Sequence, residues 1–85
     1  MESETKALAD FVKRNLIKST TVEIGEDTPL VSSGLVDSFS LPQLLVQLEA
    51  VTGLRIPTGR VSPQDFETVR TMLAAAHRVG VVRTH

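Results

Sequence analysis

The residues that could do chemistry are few. Asp37-Ser38 places a serine hydroxyl next to a carboxylate, just before a run from Leu41 to Val51 with the spacing of a helix. A hydroxyl there can act as a helix cap, as a nucleophile or as an attachment point for another group. Hydrolytic use needs a histidine within hydrogen-bond reach, and only His77 and His85 are present. With no cysteine, those two histidines cannot complete a zinc site, and any thiol must come from elsewhere. Asp37 has two open roles, assisting chemistry at Ser38 or accepting local amides in an Asx turn.

The elements that position this dipeptide follow from periodicity. Leu8, Phe11, Val12 and Leu16 fall on one helical face, opposite Lys6, Asp10, Lys13 and Arg14, with Ser3 expected as the cap. The signal stops at Ser19-Thr20-Thr21, and residues 20 to 37 form a long connection. Val22, Ile24, Leu30 and Leu35 are spaced within it so that it can pack down and stay ordered. Leu41, Leu44, Leu45, Leu48 and Val51 mark a second helix that Gly53 ends. Ser40-Leu41-Pro42-Gln43 reads as its capping box, so regular helix is expected from about Ser40, with Ser38 exposed on the preceding turn.

Ser62-Pro63-Gln64-Asp65 repeats that start for a short third helix, and Thr68 opens a last one with Val69, Met72, Leu73 and Ala76 inward. The pattern fades at Gly80. Residues 1 to 80 are therefore expected to form one domain, with 81 to 85 as a frayed tail. The fold class is all-α, a small four-helix bundle (three long helices and one short) with a long loop between the first two. Nothing alternates at period two for long enough to make a sheet.

Composition narrows the function. At 85 residues only about 60–65% of the unfolded surface can be buried, which leaves little room for a walled substrate cavity. A net charge of −1 with interspersed signs, no tyrosine or tryptophan, and three phenylalanines exclude the basic, aromatic face of a nucleic-acid binder. No apolar run has the length of a membrane span, and the acidic start Met1-Glu2-Ser3-Glu4 is unlike a secretory signal. A cytoplasmic monomer is expected.

Taken together, Glu26-Asp27-Thr28-Pro29-Leu30, Gly34-Leu35-Val36-Asp37-Ser38, the Leu44-Leu45-Leu48-Glu49 set, Ile56-Pro57 and Phe66-Glu67-Thr68-Val69 resemble the phosphopantetheine-dependent carrier proteins. The likeness extends from about residue 6 to residue 79. It implies that Ser38 bears a 4'-phosphopantetheine arm taken from coenzyme A, that Asp37 assists the modification, and that the protein is not itself an enzyme. A phosphodiester on Ser38 would lie near the start of the second helix, whose dipole favours negative charge. The implied partners are a phosphopantetheinyl transferase that supplies magnesium and the base, a loading enzyme (adenylating ligase or acyltransferase), and downstream synthase, condensing or tailoring enzymes. Leu35, Val36, Phe39, Val46 and Glu49 are the candidate contact surface around the arm. Of these, Leu35 and Phe39 also read as core residues, Val46 as exposed, and Glu49 as an ordinary solvated acid.

Two departures from the pattern matter. Phe39 stands where fatty-acid carriers typically have leucine, and Glu49 is the only acid between Ser38 and Thr52. Electrostatic steering of basic partners should accordingly be weak. The expected role is an acyl carrier of a specialised polyketide or nonribosomal peptide-type pathway. An aminoacyl or peptidyl carrier, including one similar to D-alanyl carriers, is the alternative. A carrier-like interaction domain that is never modified, and a small hydrolase built on Ser38, are the readings from other classes.

Overall fold

Leu44 and Leu48 lie one turn apart on the second helix, and both are fully buried. They mark the centre of a core shared by three helices in the computed structural model, which describes residues 2–17 and 23–82. Helix α1 (Glu2–Phe11) runs on into a π-helical stretch over Val12–Ile17, α2 spans Leu41–Thr52 and α3 spans Val69–Val79. Each α-helix packs against the other two. The protein is thus a mostly helical small domain with three helices and a small two-stranded sheet.

Burial follows the sequence pattern closely. Leu8 and Val12 from the first helical segment meet Leu44 and Leu48 from α2, and Val69, Met72, Leu73 and Ala76 from α3. Burying one such side chain stabilises by about 1.5–3 kcal/mol relative to leaving it exposed. The long connection joins the same core through Leu30 and Val36, so its described part is packed down. Ser3 lies within α1, one residue after its start. The expected break at Ser19-Thr20-Thr21, and Val22, lie outside the described residues.

Helix ends explain the boundaries. Gly53 follows α2 with φ 73°, a left-handed conformation that costs other L-residues dearly, and its N–H closes the last turn on the Glu49 carbonyl. Asp65 Oδ2 accepts the Ser62 amide at 2.8 Å, as the capping motif requires. The expected short helix there is one 3₁₀ turn, Pro63–Phe66, which holds Phe66 in the core. Thr68 then caps α3 by accepting the Thr71 amide at 3.0 Å.

Two expectations need correction here. Val81 and Val82 are no frayed tail, because they form strand β2, antiparallel to β1 (Leu54–Arg55), with Leu54 opposite Val82 and Arg55 opposite Val81. Residues 83–85 lie outside the described residues. The chain can make this turn into β2 because residue 80 is glycine. A Cβ at Gly80 would lie 2.2 Å from the Ala76 carbonyl oxygen and 2.9 Å from Leu54 Cδ1.

Candidate functional site around Ser38

The segment before α2 is fixed from the far end of the chain. Glu67, between the 3₁₀ turn and α3, accepts the amides of Val31 at 3.0 Å and Ser32 at 2.9 Å on Oε1. Its other carboxylate oxygen accepts the Ser32 hydroxyl. The Glu67 carbonyl accepts the Leu30 amide at 2.7 Å, and the Leu30 carbonyl accepts the Val36 amide at 2.9 Å. These donors hold the Glu67 carboxyl below its ordinary range, the Ser32 hydroxyl being the largest cause.

A second tie lies one helical turn further on. Arg70 donates Nε to Asp27 Oδ1 at 2.6 Å and Nη2 to Glu26 Oε1 at 2.9 Å, while its amide reaches the Glu26 carbonyl at 2.9 Å. Hydrogen bonding to Arg70 lowers the Asp27 pKa, and Asp27 in turn raises that of Arg70. The pair is exposed, so its value is mainly in fixing geometry.

Between these ties and α2, the chain turns through Gly34 (φ 82°) and enters a 3₁₀ turn over Ser38–Ser40. Asp37 has extended backbone, and its Oδ1 accepts the Ser40 amide at 3.1 Å and the Ser40 hydroxyl at 3.3 Å. Asp37 is therefore the cap. The expected Ser40–Gln43 capping box does not form, because Ser40 itself has near-helical angles (φ −89°, ψ −7°) and its hydroxyl turns back to Asp37. Pro42 sits in the first turn of α2, where its missing N–H removes nothing.

Ser38 opens the 3₁₀ turn, exposed, and its hydroxyl has no hydrogen-bond partner among the described residues. Phe39 beside it is 90% exposed, against the core reading, because the 3₁₀ turn points it away from the helices. Val46 is exposed as expected, at 66%. Phe39 and Val46 are separated by two helical turns and so share a face with Pro42, Gln43 and Ala50, all exposed and uncharged. Leu35 is half-buried.

Val36 belongs to the core at 2% exposure and cannot serve as contact surface, since its amide and side chain are both drawn inward with Leu30. Glu49 is not an ordinary solvated acid either. It is half-buried and accepts the Ile56 amide at 2.7 Å, tying α2 to the end of β1.

His77 does not meet Ser38. His77 Nε2 lies 3.3 Å from Glu4 Oε1, joining α3 to α1, and His85 lies outside the described residues. No group of acidic, histidine or cysteine residues that could hold a metal occurs among them, and no helix there is long and apolar enough to cross a membrane.

A groove of about 490 Å³ runs along α2, lined by Phe11 and Asn15 from the first helical segment and by Gln43, Val46 and Gln47. Sequence reasoning missed it, since its lining comes from two helical segments far apart in the chain. It also missed the Glu67 clamp, which spans 35 residues.

What the site offers is an uncommitted primary hydroxyl at the head of a 12-residue helix, next to a fixed carboxylate and on an uncharged surface. These features fit a covalently attached phosphodiester. The hydroxyl is reachable, nothing is displaced when it is modified, and the helix N-terminus favours the added charge.

Comparison with solved structures finds a likeness. A chain from a crystal structure of an FAD-dependent dehydrogenase superposes with a TM-score of 0.66 and 29% identity. The match covers 81% of this chain and 97% of that one. No protein-family profile matches the chain, and no curated protein does.

Proposed function

We propose that this protein is a carrier. Ser38 bears a 4'-phosphopantetheine arm, and the protein presents cargo bound to that arm to partner enzymes. The observation that supports this best is the exposed Ser38 hydroxyl, which has no hydrogen-bond partner among the described residues while Asp37 caps the turn. The three packed helices, with a connection whose described part packs on their core, agree with a small carrier-type helical bundle. Within a transferase, Ser38 Oγ attacks the coenzyme A phosphorus that bears the pantetheine. The new phosphodiester forms as the pyrophosphate bond breaks, the adenosine bisphosphate leaves, and the hydroxyl proton passes to a base on the transferase.

When attached, the arm supplies a thiol that holds an acid as a thioester. The chain's own residues contribute the remainder. Asp37 fixes the turn and stands ready to assist the transferase with its metal, and the uncharged face from Phe39 to Ala50 meets the partners. That face has no steering charge, which suits a specialised polyketide or nonribosomal peptide-type pathway in the cytoplasm, with acyl or aminoacyl cargo. The likeness to the dehydrogenase-structure chain favours one partner class beyond the loading enzyme, a flavoprotein dehydrogenase.

The test is intact-protein mass spectrometry after incubation with coenzyme A, magnesium and a broad-specificity phosphopantetheinyl transferase. One phosphopantetheinyl mass gain, absent from Ser38→Ala, is expected. No gain with two different transferases overturns the carrier reading and favours the unmodified interaction domain.

A further inference from the structure

The groove along α2 has a composition unlike an acyl pocket. Its walls carry the three carboxamides of Asn15, Gln43 and Gln47, set between the apolar surfaces of Phe11 and Val46, with no charged residue. Carboxamides both donate and accept, and they match other amides in kind and number of hydrogen bonds. Asn15 uses Nδ2 on the Phe11 carbonyl at 3.2 Å, which orients its oxygen as the available acceptor. The volume falls within the usual range for small-molecule sites, roughly 300–1,000 Å³.

Position adds to composition. Gln43, Val46 and Gln47 follow Ser38 by five, eight and nine residues along the same helix. At about 1.5 Å per residue the groove's far end lies roughly 14 Å from the serine. An arm built of a phosphodiester, a pair of amides and a thiol is longer than this when extended.

We infer that the groove between the first helical segment and α2 is the resting dock of the pantetheine arm itself, whose amides pair with the carboxamides of Asn15, Gln43 and Gln47 while its methylenes lie on Val46 and Phe11. This rests on the carrier reading. It assigns the groove to the arm's amides, so docking holds whatever cargo the thiol bears, and a partner that covers Phe39 and Val46 competes with the docked arm and releases it.

The experiment compares ¹H–¹⁵N and ¹³C-edited NMR spectra of the apo protein and the transferase-modified protein, with modification verified by mass. Docking gives shifts at the side-chain amides of Asn15, Gln43 and Gln47, and nuclear Overhauser contacts from the arm to the Val46 methyls. In Asn15→Asp, an exposed position on the first helical segment and outside the partner face, modification proceeds but the shifts at Gln43 and Gln47 shrink. Shifts confined to residues 37–41 of fully modified protein, with no contact to Val46, overturn the dock and leave the carrier reading standing. Absence of any mass gain overturns both.

Discussion

The carboxylate of Glu67 accepts both the amide and the hydroxyl of Ser32, 35 residues earlier in the chain. This joins the entry to α3 to the loop that leads to Ser38. The donors hold Glu67 below its ordinary value of 4.5, so the sign of its pH dependence is fixed. Its stabilising contribution is complete above the unfolded pKa and is lost as pH falls from about 4.5 through the lowered folded value. Asp27, lowered by Arg70, acts in the same direction. Glu67→Gln should melt below the parent at pH 7, with the gap narrowing as pH drops under 4.5. A gap unchanged from pH 7 to pH 3 in thermal scans contradicts the clamp.

Asp37 has a structural task that can be separated from any part in modification. Asp37→Ala removes the acceptor for the Ser40 amide and should cost about 1 kcal/mol, whereas Asp37→Asn keeps an acceptor and should cost a few tenths. Both should slow the transferase. Urea unfolding of the two variants beside their loading rates separates the roles, and equal loading in all three proteins removes Asp37 from the modification step.

Ser38→Ala should leave stability within about 0.5 kcal/mol, because the exposed hydroxyl makes no hydrogen bond among the described residues. A larger loss in chemical denaturation means that Ser38 is a structural residue.

Gly80→Ala is expected to be costly although its φ of −68° is ordinary. The added methyl meets the Ala76 carbonyl and Leu54, an overpacking that costs about 1–3 kcal/mol. Near-parental stability in this variant means that the β1–β2 pairing is dispensable.

On the carrier reading, the uncharged face of α2 should make partner association insensitive to salt. Phe39→Ala should weaken binding to the loading enzyme or the transferase by about 1 kcal/mol or more. Changing ionic strength should do little, since no charge on this face steers encounter. Titration at low and high salt decides it, and a steep salt slope places the docking surface elsewhere.

What the sequence revealed depended on sequence distance. The α2 and α3 stripes, Gly53, the Ser62–Asp65 cap and the exposure of Ser38 and Val46 all rest on residues a few positions apart, where helix geometry dictates who meets whom. The Asp37 bond to the Ser40 amide was legible only as one of two options, because a carboxylate beside Ser38 could equally serve chemistry there. Pairing of Leu54 with Val82 and of Glu67 with Ser32 left no local trace, and strands of two residues are too short to show alternation. Val36 misled because it lies among exposed Gly34, Asp37 and Ser38 while its own amide bonds inward to Leu30.

The backbone relay from Glu67 through Leu30 to Val36 ends two residues short of Ser38. The Ser38 turn is thus joined to the entry of α3. Its opening should follow the unfolding of α3. In deuterium exchange the Leu30 and Val36 amides should then lag with those of the last helix, and the serine should keep its place whenever the chain around residue 25 loosens.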